Sequence, residues 1–244
     1  MTPDQWIALG ASVGACLSAV ATFLTVRQIA KQREASYRPE LAISQVPFEA
    51  GPDPVCAGAL PTKWVARDLK DTQRPLTLDD LALPLRNIGL GSARAVRLKW
   101  DFDLSEAVKT ANELAQRTLT PAYFSVDDWG LSIKSDDLGN GSSLWKNQRE
   151  VLIDFVLPAS IDKEPVSVRL PHAYQQLCAA LVYLRAKEKD EMLSFELPAL
   201  SATFTFSDIG GVDHEAVFDV KVKLVSLSGG GKGMTGYVEC AKHV

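Results

Sequence analysis

The chain has 244 residues, 46% of them hydrophobic and 23% charged, an ordinary globular composition with a net charge of −4. Residues 1–38 carry a local +2, which leaves −6 on residues 39–244, and an acidic domain has no electrostatic footprint for nucleic acid. The four cysteines, Cys16, Cys56, Cys178 and Cys240, lie far apart and form no CxxC or Cys/His spacing. They therefore read as separate reduced thiols rather than a disulfide framework.

From Gln5 to Val26 there is no charged side chain. About 20 apolar residues cross a bilayer core as a helix, and this stretch has that length. A cleaved signal peptide needs a basic region ahead of its apolar run, and here the only charge ahead of it is Asp4. The run is apolar or small on every side, unlike the two-faced helix of a soluble protein. It is followed by Arg27, Lys31, Arg33 and Arg38, placed for contact with lipid headgroups, and the positive-inside rule then puts the N-terminus outside and the large domain in the cytoplasm. Gly10, Gly14, Ser18 and Thr22 recur at four-residue spacing, so they share one helix face. Small side chains there let two helices approach closely, a candidate self-association face. Pro39 ends the helix.

Beyond Pro39 the pattern turns mainly to β. Leu41–Val46 alternates and ends at Pro47, and residues 47–61 read as loop. Residues 62–80 are polar and charged with no assigned element, and the acidic pair Asp79-Asp80 reads as a solvated strand entry. A strand entering through Leu81–Asn87 is followed by a glycine-rich connection, then by Ala95–Phe102, where Val96, Leu98, Trp100 and Phe102 share one face. Asn87, Gly89 and Gly91 are the residue types that supply positive φ, and they are expected to shape the turn between those strands. Residues 104–117 switch to helical period, with Leu104, Ala107, Val108, Ala111, Leu114 and Ala115 on one side. Residues 125–147 are polar and turn-rich. Strands are expected over 149–158 and 166–170, a helix over 171–188 with Pro171 in its first turn, and a further sheet segment starting at Leu193–Leu197. The end of the chain reads as a hairpin, 202–207 and 216–224, about a turn shaped by Asp208 and Gly210. The GGGKG run at 229–233 reads as a flexible loop and Thr235–Cys240 as an edge strand.

Little in the sequence carries chemistry. Lys232 is not followed by Ser or Thr, so GGGKG is not a phosphate loop. His172, His214 and His243 have no metal-ligand spacing, and GxSxG is absent. Asp127-Asp128 and Asp136-Asp137 with Asn140 miss the EF-hand spacing and read as solvated turns, with an ion-binding loop as the alternative. Trp129 and Trp145 read either as anchors for a long loop or as a contact surface.

Tyr37-Arg38-Pro39-Glu40-Leu41, Asn87-Ile88-Gly89-Leu90-Gly91-Ser92-Ala93 and Phe206-Ser207-Asp208-Ile209-Gly210-Gly211 together carry a resemblance. The chain resembles a broad set of uncharacterised bacterial single-pass membrane-anchored proteins with an N-x-G-x-G-x-A β-sandwich, with Ser92 where proline is frequent in that set. The resemblance is structural and implies localisation and fold, with no activity, cofactor or catalytic residue.

These readings combine into an α+β, mainly β chain. Residues 1–38 form a transmembrane anchor, and residues 39–244 form an antiparallel, Ig-like β-sandwich with two inserted helices. The expected function is a non-enzymatic protein-interaction or sensing module on the cytoplasmic face of the bacterial inner membrane, bound to the lipid bilayer and to a protein partner or a second copy through the transmembrane helix. The alternatives are a subunit of a stress or phage-defence membrane assembly, and a hydrolase or metal- or ligand-binding enzyme using His172 or the 127–137 loop.

Overall fold

The computed structural model describes residues 2–53, 58–67, 81–188 and 196–243. Asp79-Asp80, Cys56 and the Leu193 strand start lie outside them. The first element, α1 (Pro3–Ser36), is a 34-residue helix, about 51 Å long at 1.5 Å per residue. Its Pro3–Ile29 segment is long and apolar enough to cross a membrane, and none of it is buried against the rest of the chain. Two of its hydroxyls are satisfied inside the helix: Thr22 Oγ1 donates to Ser18 O and Thr25 Oγ1 to Ala21 O, both at 2.9 Å. Such bonding suits a polar group that must stand in an apolar medium.

The remainder is mainly β. In chain order come β1 (Leu41–Ile43), β2 (Val46–Gly51), β3 (Lys63–Ala66), β4 (Ala82–Asn87), β5 (Ala93–Asp101), α2 (Leu104–Arg117), β6 (Ala122–Val126), β7 (Gly130–Ser135) and β8 (Gly141–Leu144). Then follow β9 (Glu150–Val156), β10 (Val166–Arg169), α3 (His172–Glu188), β11 (Leu200–Ser207), β12 (Asp213–Ser228) and β13 (Gly233–Lys242). Seven strands form one antiparallel sheet in the order β3-β2-β13-β12-β11-β5-β9, and two three-stranded sheets, β1-β4-β10 and β6-β7-β8, stand apart from it.

The alternation in β5 sets its inner face: Val96, Leu98 and Trp100 are buried, while Arg97, Lys99 and Asp101 are exposed. One extra residue interrupts that strand. Ala95 has φ +49, and the pairing with β11 slips between Thr205 and Ser207, which marks a β-bulge. The bulge brings Ala93 back to the inside, where it is fully buried.

Helix α2 buries the six residues that its period selects, from Leu104 to Ala115. Asp103 caps its start, accepting Glu106 N–H at 2.9 Å. Its end is a Schellman motif: Thr120 N–H donates to Ala115 O at 2.9 Å and Leu119 N–H to Gln116 O at 3.2 Å. The left-handed position of that motif, φ +50, is held by Leu119, which is 90% exposed.

Helix α3 is apolar all round and accordingly buried, from Ala173 to Leu184 save the half-buried Gln176. It packs on α2 and β8. Tyr174 meets Phe102 edge-on at 5.1 Å and donates its hydroxyl to Pro198 O at 2.9 Å.

Four local expectations change. Residues 47–51 continue as β2 rather than loop. Pro47 is tolerated because it stands where β3 runs out, its carbonyl accepting Arg67 N–H at 2.9 Å. The polar 125–147 stretch is built on the β6-β7-β8 meander, because Phe124, Leu131, Ile133 and Leu138 are all buried. The 229–233 run is a formed hairpin turn, with Gly229, Gly230 and Gly231 all at positive φ. A Cβ on Gly231 would stand 2.8 Å from Ala186 Cβ and 3.0 Å from Tyr183 Cα, so the turn seats on α3. Finally, β13 is interior rather than an edge, because β2, from far earlier in the chain, pairs along its outer side.

An L-residue in the left-handed region costs roughly 1–2 kcal/mol. Leu119→Gly is therefore expected to raise stability by about 1 kcal/mol, read as a shift in the urea midpoint at constant m.

Candidate functional site

The three quoted motifs, distant in sequence, meet at one end of the β domain. The strap leaving α1, Tyr37 to Leu41, lies across the 87–92 connection. Asn87 is fully buried and uses all of its amide. Its Oδ1 accepts Glu40 N–H and Gly89 N–H, each at 3.0 Å, and its Nδ2 donates to Gly91 O at 2.6 Å and Val156 O at 3.1 Å. The backbone adds Ile88 N–H to Glu40 O and Ala159 N–H to Asn87 O, both at 2.8 Å. One side chain thus ties together the helix exit, its own loop and the end of β9.

The glycines are there for room. Neither Gly89 nor Gly91 has positive φ, so the conformational reason expected from the sequence does not apply. A Cβ on Gly89 would meet Arg38 O and stand 2.6 Å from Glu40 N, and a Cβ on Gly91 would strike Tyr37 O. Pro39 is buried in this contact, while Tyr37 and Arg38 are exposed.

Beside the strap lies a cleft of about 410 Å³ bounded by Arg38, Glu40, Leu90, Phe206, Glu215 and Lys242. Lys242 Nζ is 3.8 Å from Glu40 Oε1 across it. A second, more open depression of about 580 Å³ adjoins it through Phe206 and Glu215, and it is lined by Arg97, Ser207, Asp213 and His214. The 208–212 turn edges this region. Asp208 Oδ1 accepts Gly210 N–H at 2.8 Å and Val212 N–H at 2.9 Å, and its Oδ2 is 2.9 Å from His214 Nε2. Gly210 supplies its N–H, and the left-handed residue of the turn is Gly211, at φ +82. The His214 bond first, then the backbone donors, hold the Asp208 carboxyl below its ordinary value.

The other sequence candidates are dispersed. On α1, Gly10, Gly14, Ser18 and Thr22 are exposed, and a Cβ added at either glycine would meet nothing within 4 Å. Arg27 and Lys31 are exposed farther along the helix; the side chain of Arg33 lies outside the described residues. His172 begins α3, where its N–H donates to Gln148 Oε1 at 2.7 Å. Asp127 Oδ1 accepts Trp129 and Gly130 N–H at 2.9 Å, and Asn140 Oδ1 accepts Ser135 N–H at 2.9 Å, so both side chains hold hairpin turns. Trp145 packs on Phe102 at 6.0 Å as a loop anchor, whereas Trp129 is exposed beneath Lys146. Among the described residues no group of three or more His, Cys, Asp or Glu gathers to hold a metal. Burial pushes the thiols of Cys178 and Cys240 up to about 12, which disfavours the thiolate of each.

Sequence reasoning missed Glu40, Glu215 and Lys242 as neighbours. Each stands on a different strand or strap, and only the antiparallel pairing of β12 with β13, and of β1 with β4, assembles them. Comparison with protein-family models, curated proteins and solved structures returns no match.

Leaving buried backbone groups without a partner costs about 1–3 kcal/mol each. Asn87→Ala is expected to lose at least about 3 kcal/mol in urea unfolding, and Asn87→Asp, which keeps the acceptor and loses both donors, is expected not to rescue it. The Asp208 shift sets a pH signature as well. Because the folded carboxyl sits below its unfolded value, its contribution is present above the ordinary carboxylate range and is lost as pH falls through the lowered folded value. The midpoint of wild-type protein should therefore fall more steeply under acid than that of Asp208→Asn.

Proposed function

We propose that the chain is a membrane-anchored, non-enzymatic protein-interaction or sensing module, its β domain a sandwich held at the cytoplasmic face of a bacterial inner membrane. The observation that carries the reading is α1: an apolar helix of spanning length, unburied by the domain, with the hydroxyls of Thr22 and Thr25 bonded internally. Basic side chains follow its apolar part and support an orientation with the domain inside. The Asn87 clamp supports a module rather than a loose tether, since the strap that leaves the helix is bonded into the domain.

A second reading, that the chain is a subunit of a stress or phage-defence membrane assembly, is favoured by the stripe of Gly10, Gly14, Ser18 and Thr22. The Thr22 hydroxyl is folded back on Ser18 O, and the glycine faces are open, which leaves a surface on which another helix backbone can lie.

The full chain is expected to remain in the membrane pellet after alkaline carbonate extraction, at its full-length mass. A soluble product shortened at its N-terminus would show α1 to be a cleaved signal and end this reading. Within the membrane, Gly14→Ile is expected to reduce crosslinking between copies several-fold, and unchanged crosslinking would remove the assembly reading alone.

A further inference from the structure

Resting on the reading of α1 as a membrane span, we propose that the helix-proximal end of the β domain docks on the headgroup layer of the bilayer that α1 crosses. Its lipid-facing side chains are Ile88, Leu90, Ile161, Ile209 and Val212. Strand pairing sets which loops share that end. Leu41 lies opposite Asn87, Val166 opposite Leu85, Ala93 opposite Val156, and Arg94 opposite Ser207. The strap and the loops at 87–92, 157–165 and 208–212 therefore emerge together, and the cleft that joins Arg38 to Leu90 and Phe206 runs between them.

Loop tips are ordinarily polar because they face water. These loops instead present Ile88 at 57%, Leu90 at 58%, Ile161 at 70%, Ile209 at 58% and Val212 at 47% exposure. Apolar tips on three separate loops at one end make a surface that asks for an apolar or interfacial cover.

The span names that cover. The uncharged run ends at Val26, the membrane-length segment at Ile29 and the helix at Ser36, so about 10–15 Å of helix separates the apolar part of α1 from the strap. The headgroup layer on each side is itself about 5–8 Å thick. Because the strap is bonded into the 87–92 loop, the domain cannot stand off on a long linker, and this end of it is held close to the exit of the helix. The charges lining the adjoining cleft balance, Arg38 and Lys242 against Glu40 and Glu215. The 157–165 loop adds exposed Asp162, Lys163 and Glu164, so no basic patch among the described residues draws this end to the bilayer, and the contact is expected to survive high salt.

The test uses the full chain with Cys16→Ser, Cys56→Ser and Cys240→Ser, since Cys178 is fully buried. It is reconstituted in phosphatidylethanolamine/phosphatidylglycerol vesicles and carries one environment-sensitive fluorophore at a time. The labelled sites are Leu90→Cys, Ile209→Cys, Val225→Cys at the far end of β12, and Leu17→Cys within α1. Lipids bearing a nitroxide on the headgroup are expected to quench the probes at 90 and 209 several-fold more than the probe at 225, with no loss in high salt. Equal quenching at 90, 209 and 225 would overturn the docking proposal. The probe at 17 separates the two readings: quenching by a mid-chain nitroxide keeps the span whatever the loops do. Its absence removes the span and the docking proposal together.

Discussion

The amide of Asn87 is the constraint on which the arrangement of this chain depends. It is buried, and it satisfies four backbone groups from three segments: the strap leaving α1, its own loop and the end of β9. Because β4 belongs to a three-stranded sheet and β9 to the seven-stranded one, this side chain also joins two sheets that share no ladder. A buried amide with every donor and acceptor used is stabilising mainly through what its absence would cost. The glycines at 89 and 91 follow from it, since the strap can reach Asn87 only where no side chain intervenes.

The core is organised around α3. An apolar helix with no polar face must be covered on every side, and α2, the β6-β7-β8 meander and the turn at Gly231 each take a share. Cys178 sits in that core beside Tyr174, whose hydroxyl burial also pushes well above its usual value. Both groups stay neutral, so this interior is a packing device, and the connecting loops lie at the two ends of the strands.

Those ends are unequal. The far end is closed by the β12–β13 turn against α3. The helix-proximal end is open, with aliphatic tips and a cleft next to the clamp. The clamp fixes the strap, and the aliphatic tips form a rim around the point where the helix leaves the domain.

The sequence by itself determined the local elements. The uncharged run predicts α1, alternation sets the buried face of β5, and period selects the six buried residues of α2, because each depends only on neighbours along the chain. It also singled out Asn87, Gly89 and Gly91, though for the wrong reason: Asn87 serves through its buried amide and the two glycines through close approach, none of them through positive φ. Tertiary structure decided the rest. Nothing local tells that Asn87 reaches Glu40, 47 residues earlier, and Val156, 69 later. Nor does anything local tell that β2 covers β13, or that a glycine run is pinned on α3. Hydrogen bonds and packing between remote segments depend on the whole topology, and residue spacing carries no record of which segment will lie opposite.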